Sequence, residues 1–166
     1  MATTNNNSNN IHYKRLGREF ALQFLFQHEV LENKEDLNSD NLHIFWQQVS
    51  DSEDVTSVDQ KNIRKGQNFA KKLITGILEN FKVINDKIAE YSIDWSIDRM
   101  AIIDRNVLRL AIFEMLFMDD IPPIVSIDEA VTIAKEFSSA KAATFINGVL
   151  NSIKDNLDRP PREANK

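Results

Sequence analysis

Apolar residues recur at spacings of three and four along most of the 166-residue chain, and no stretch alternates as a half-buried strand would. That rhythm predicts helices throughout. Leu16, Phe20, Phe24 or Leu25 and His28 share one side of a first helix predicted from about Tyr13 to Asn33. Asp36 to Ser39 reads as a turn, Leu42, Phe45, Trp46 and Val49 as a short second helix, and the acidic stretch 51–59 as a loop. From about Asn62 the pattern resumes with Phe69, Leu73, Ile77 and Phe81, then Ile84, Ile88 and Tyr91. Gly76 and Asn80 are the weak points where this long run can kink or break, so the chain is divided there into two helical subdomains.

Met100 to Met118 is apolar nearly all round, which predicts a helix buried among neighbours rather than one lying on a surface. Asp120 to Pro123 stops it, because proline lacks an amide donor and biases its predecessor away from helix. Ser126 and Glu129 have the spacing of a capping box, predicting a helix from about Ile127 to Phe137. Ser138 or Ser139 then caps a last helix running to about Asn156, and Arg159-Pro160-Pro161-Arg162 reads as a frayed end. The expected fold is all-α, with about seven helices in two packed subdomains. Residues 1–12 form an Asn-rich disordered tail, 13–80 and 81–158 the two halves of a single domain, and 159–166 a frayed tail.

Composition narrows the function. With 42% hydrophobic and 27% charged residues the chain fits one globular domain. It has no apolar run near the ~20 residues that span a bilayer, and its N-terminus lacks a signal peptide's basic and apolar regions, so a cytoplasmic protein is expected. The absence of cysteine excludes disulfides, a thiol nucleophile and thiolate-held metal. His12, His28 and His43 are too scattered for a metal motif, and there is neither a phosphate-cradling glycine loop nor a nucleophile elbow. No enzyme, metal or cofactor is therefore expected. The net charge of -5 argues against indiscriminate nucleic-acid binding, but cations cluster locally. Lys14, Arg15 and Arg18 form one group; Lys61, Arg64, Lys65, Lys71 and Lys72 form another. Each suits a phosphate backbone, and each also suits a plain solvated helix face.

Within the apolar helix, Arg109 must be paired, since burying an unpaired guanidinium costs several kcal/mol. Glu114 lies round the helix from it, so Glu129 is the expected partner and the role is structural. Asp104 and Arg105 sit at the exposed start of that helix, where they can face a partner. Gly148 falls inside a helix, where it costs about 1 kcal/mol relative to alanine. It implies close approach of another backbone, from a neighbouring helix or from a nucleic-acid strand. Beside it, Asn147 can donate to and accept from a base edge, and Phe145 can stack on a base.

The strings Trp95-Ser96-Ile97-Asp98-Arg99-Met100, Val107-Leu108-Arg109-Leu110-Ala111-Ile112-Phe113-Glu114-Met115, Ile127-Asp128-Glu129-Ala130-Val131 and Phe145-Ile146-Asn147-Gly148-Val149-Leu150 occur in one order and spacing. Together they resemble the C-terminal half of the NusB (N-utilization substance B) family of RNA-binding transcription antitermination factors. Arg18-Glu19-Phe20-Ala21-Leu22-Gln23-Phe24-Leu25-Phe26 extends the resemblance into the first helix. It covers Lys14 to Gln27 and about Leu73 to Ser152, leaving the acidic stretch unmatched.

The resemblance implies a pair of perpendicular helical bundles that binds boxA RNA of ribosomal or phage transcripts. It further implies binding with NusE, a small-subunit ribosomal protein, and loading onto RNA polymerase to suppress premature termination. By motif, Lys14, Arg15 and Arg18 match the family's basic RNA-contact region. Phe26 stands where an RNA-proximal tyrosine is usual, and Phe145 and Asn147 fall on the RNA side. Asp104, with Arg105 beside it, matches the NusE-facing helix. The arm carries fewer arginines than is common, and Gly17 stands in place of the usual alanine, weakening the helix where it begins. The free chain is a monomer or a homodimer. Two other readings stay open: the NusB-like N-terminal module of ribosomal RNA cytosine methyltransferases, which needs a catalytic domain beyond Lys166, and a helical protein–protein adaptor without RNA binding.

Overall fold

A computed structural model describes residues 5–30, 44–47 and 57–164, with side chains in the first two long helices described from Tyr13 and Gln60 onward. The elements are α1 (Asn5–Val30), α2 (Ser57–Glu79), α3 (Phe81–Tyr91), a 3-10 turn (Ile97–Arg99), α4 (Ile102–Phe117), α5 (Pro123–Phe137) and α6 (Ala140–Asp155). Residues 44–47 are also helical, and among the described residues there is no strand. No described helix is long and apolar enough to cross a membrane. The predicted end of the first helix near Asn33, the turn at 36–39 and most of the 51–59 loop lie outside the described residues. Both α1 and α2 start earlier than the periodicity predicts, α1 inside the Asn-rich stretch and α2 within the expected loop. Extending an existing helix fixes one residue per hydrogen bond, so polar residues join without an apolar face of their own.

The chain forms two compact units, Met1–Lys72 and Leu73–Lys166, so the boundary falls inside α2 rather than at 80/81. Gly76 explains the earlier boundary. It packs under the ring of Phe113 of α4, which assigns the last turns of α2 to the second unit. The helix itself breaks at Asn80, whose amide and side-chain Nδ2 both donate to the Gly76 carbonyl (3.1 and 2.8 Å).

In the first unit, α1 and α2 touch through glycines. A methyl at Gly17 would lie 2.8 Å from the Gly66 carbonyl oxygen and 2.8 Å from Phe69 Cδ1. Gly17 is therefore a crossing point, not merely a weak start. Phe20, Phe24, Phe45 and Trp46 fill the core with edge-to-face pairs, Phe20–Trp46 at 5.7 Å, Phe24–Phe45 at 5.5 Å and Phe45–Trp46 at 4.9 Å between centroids.

In the second unit, α4 is central. Its residues from Asn106 to Met115 are all buried, and α3, α5 and α6 pack on it. The capping box at Ser126 does not form. Proline at the first helical position needs no amide partner, so Pro123 starts α5 instead of merely ending the helix before it. Ser126 thereby lies inside α5, and its Oγ donates to buried Glu114 Oε1 at 3.0 Å. Ser139, the second of the two caps considered, does cap α6, accepting from the Ala142 amide at 3.0 Å.

The predicted frayed end is tied down. Arg159 donates from Nη1 to the carbonyls of Met115 (2.9 Å) and Met118 (3.4 Å), and from Nη2 to those of Asp119 (3.3 Å) and Ile121 (2.8 Å). The Ile124 amide donates to Pro161 O at 3.0 Å. A guanidinium here satisfies carbonyls left over at the end of α4 and lies at the negative pole of its dipole. Arg159→Ala is expected to destabilise the protein by roughly 1–3 kcal/mol in guanidinium titration. Arg159→Lys should recover less than half of that, because an ammonium cannot fork across several carbonyls. Full recovery by lysine would mean that charge alone matters there.

Candidate nucleic-acid interface

On the first unit, α1 presents Lys14 and Arg15, both half-buried. The Lys14 ammonium lies 6.0 Å from the Phe69 ring centroid, and the Arg18 guanidinium lies 5.6 Å from the same centroid. Being four residues apart, the two cations share a helix face. Arg18 nonetheless departs from expectation: it is only 3% exposed, which removes it from direct contact with a phosphate. Its place beside Gly17 turns it toward the helix crossing, a neighbourhood that the linear cluster of basic residues did not reveal. Phe26, at 38% exposure, is available on the surface of α1.

On the second unit, Phe145 is half-buried and lines a cavity of about 410 Å³ with Trp95, Arg99, Asp104, Ser139 and Lys141. Asp104 Oδ1 is buried beside this cavity without a hydrogen-bond partner. Trp95 is 52% exposed and gives the cavity an open aromatic face. The cavity unites Phe145 and Asp104, which the sequence assigned to different partners. Trp95, Arg99 and Lys141 line the cavity too, and no sequence expectation assigned them to a site. The available signal was a tryptophan four residues ahead of an arginine in the first motif.

Asp104 and Arg105 are not the freely exposed pair expected. Both are half-buried, and Arg105 Nη1 donates to the carbonyls of Ile97 and Met100, each at 3.3 Å, fastening the 3-10 turn onto the start of α4. Asn147 faces away from the cavity and is exposed; its Oδ1 and its carbonyl accept from Asn151 Nδ2 at 3.0 and 2.9 Å. Lys154 Nζ donates to Asn151 Oδ1 at 2.9 Å and completes a polar ladder along α6. Gly148 corrects the neighbouring-helix expectation: a methyl there would meet nothing within 4 Å. Its smallness serves no packing inside the described protein.

Among the described residues no group of three His, Asp or Glu side chains could hold a metal. What the two units offer is cationic, aromatic and amide groups on rigid helices, a chemistry of binding.

Comparison with known proteins gives one answer. The sequence profile of the NusB family matches residues 15–155. The transcription antitermination protein NusB of Bacillus licheniformis is 39% identical over 145 residues, covering 87% of this chain and 98% of that protein. The structure of T. maritima NusB matches with a TM-score of 0.70 at 33% identity, over 88% of this chain and 93% of that one. A crystal structure of antitermination factors NusB and NusE in complex with double-stranded RNA matches with a TM-score of 0.68 at 25% identity, over 88% and 98% of the two chains.

Proposed function

The chain belongs to the NusB family, and on that premise we propose that it is a cytoplasmic transcription antitermination factor that binds boxA RNA together with NusE. It acts by binding and not by catalysis, joining the RNA polymerase antitermination complex and suppressing premature termination, above all in ribosomal RNA operons. The observation that carries the reading is the likeness, nearly end to end, to a protein named for antitermination. The solved NusB–NusE–RNA complex supports the partners.

Lys14 and Arg15 take phosphates, and Phe26 offers a stacking face on the same unit. Phe145 and Asn147 contact RNA from the second unit, Phe145 through the cavity and Asn147 from the outer face of α6. Asp104 contributes its carboxylate charge to the NusE-docking face, while Arg105 holds the adjoining turn. A mobility-shift titration with boxA RNA, with and without NusE across a salt series, tests this assignment. Lys14→Gln with Arg15→Gln should flatten the log–log salt slope by about 1.4, at ~0.7 per phosphate contact on a single strand. Asp104→Lys should reduce the gain in RNA affinity that NusE brings. An unchanged slope in the double variant would sink the phosphate assignment, and an unchanged NusE gain would sink the docking assignment.

A further inference from the structure

The second basic cluster takes on a shape in the fold. Lys61, Arg64, Lys65, Lys71 and Lys72 are all exposed on α2, within the first unit. At 3.6 residues per turn they fall within an arc of roughly 120°, and from Lys61 to Lys72 the stripe runs about 16 Å along the helix. Exposed Asn68 falls within the same arc, and exposed Gln60 lies at its edge just before Lys61. No acidic residue occurs from Gln60 to Leu78, although the chain carries 25 acids against 20 lysines and arginines.

A merely solvated face would mix the two signs, as α3 does. There Lys82 pairs with Asp86 at 2.7 Å and Lys87 with Glu90 at 3.4 Å. Like charges one turn apart repel, so the α2 face is unfavourable for the free protein and favourable against a polyanion. The stripe also meets the first basic group. At the Gly17–Gly66 crossing, Tyr13 and Phe69 stack edge to face with centroids 6.4 Å apart. Lys65 of α2 lies 5.7 Å over Tyr13, and Lys14 of α1 lies 6.0 Å over Phe69. Cations of both helices thus converge on one aromatic pair.

We propose that this face of α2 is a second phosphate track, on which RNA flanking the primary element continues from Lys14 and Arg15 across Lys65 toward Lys72. This inference rests on the RNA-binding reading above and extends its footprint. A single RNA strand fits better than a membrane, because the exposed position among the cations is an amide, Asn68, and the arc offers no exposed apolar side chain for insertion. Contacts here are to phosphate, so they add affinity and length dependence without sequence preference.

The test uses the whole chain with two RNAs, a short boxA-type strand and the same element inside a longer single strand, each titrated across a salt series. The variant is Lys61→Gln, Arg64→Gln and Lys72→Gln, three exposed positions whose loss should not lower the melting temperature. On the long RNA the slope should fall by about 2, at ~0.7 per contact, with the short RNA unaffected. An unchanged slope on the long RNA overturns the track, and so does a parent slope that is equal for the two RNAs. The Lys14→Gln, Arg15→Gln variant separates this failure from that of the primary reading, since it should flatten the slope on both strands whether or not α2 contributes. Displacement of the long RNA by polyglutamate as effectively as by unlabelled RNA would reassign the face to an acidic protein and overturn the proposal.

Discussion

Arg109→Met is expected to destabilise the protein by roughly 3 kcal/mol, lowering the melting temperature by about 6–12 °C at 2–4 °C per kcal/mol for a chain of this size. RNA affinity of the folded fraction should stay within about twofold. Arg109 is only 4% exposed and joins α3 to α4. Its Nε donates to Asn85 Oδ1 at 3.0 Å, its Nη1 to Asn106 Oδ1 at 3.0 Å, and its guanidinium carbon lies 4.6 Å from the Phe81 ring centroid. Asn106 is fixed in the matching orientation by its own Nδ2, which donates to Ile102 O at 2.8 Å. Methionine keeps much of the apolar volume, so the loss isolates the polar part. Each bond to a charged donor contributes about 1.5–3 kcal/mol, and the buried Asn106 acceptor would be stranded. Circular-dichroism melts paired with RNA titration decide the matter: an unchanged melting temperature with lost RNA binding would make Arg109 an RNA contact.

The case of Arg109 illustrates what the sequence could and could not convey. Its burial and structural role follow from one charge in an apolar helix. Asn85 and Phe81 as partners do not, because they come from α3 at a register that periodicity leaves undetermined. The same limit accounts for Arg159, whose carbonyl partners lie some forty residues upstream and leave no mark in local pattern. Helix existence was legible wherever apolar spacing was strong, as in α4, and the break at Asn80 was legible from residue type. Helix starts were not. Proline serves equally as a stop for one helix and as the first residue of the next, and Pro123 is the latter.

The candidate surfaces divide in the same way. Motifs brought Asp104 and Phe145 to notice separately, and only the fold sets them around one cavity. Basic clustering brought Arg18 to notice, and the helix crossing at Gly17 buries it. Such a crossing depends on two glycines far apart in the chain, and neither announces the other.

Glycine substitutions should act with opposite signs in two helices of this protein. Alanine gains roughly 1 kcal/mol over glycine inside a helix, and nothing opposes that at Gly148, where a methyl has open space, so Gly148→Ala should stabilise by about 0.5–1 kcal/mol. At Gly76 the ring of Phe113 occupies the methyl's position, and that ring is buried and stacked on Phe117 with centroids 5.5 Å apart. Forcing atoms into such a contact costs about 1–3 kcal/mol, which offsets the helix gain and leaves Gly76→Ala destabilising. The mechanism can be isolated, because Phe113→Leu removes the obstructing edge of the ring. In the Phe113→Leu background, Gly76→Ala should lose most of its penalty, giving a coupling of about 1 kcal/mol in a double-mutant cycle. Additive effects would mean that Gly76 is needed for the backbone at the end of α2 and not for the approach of α4. Stabilisation at both glycines would contradict the packing of Phe113 itself.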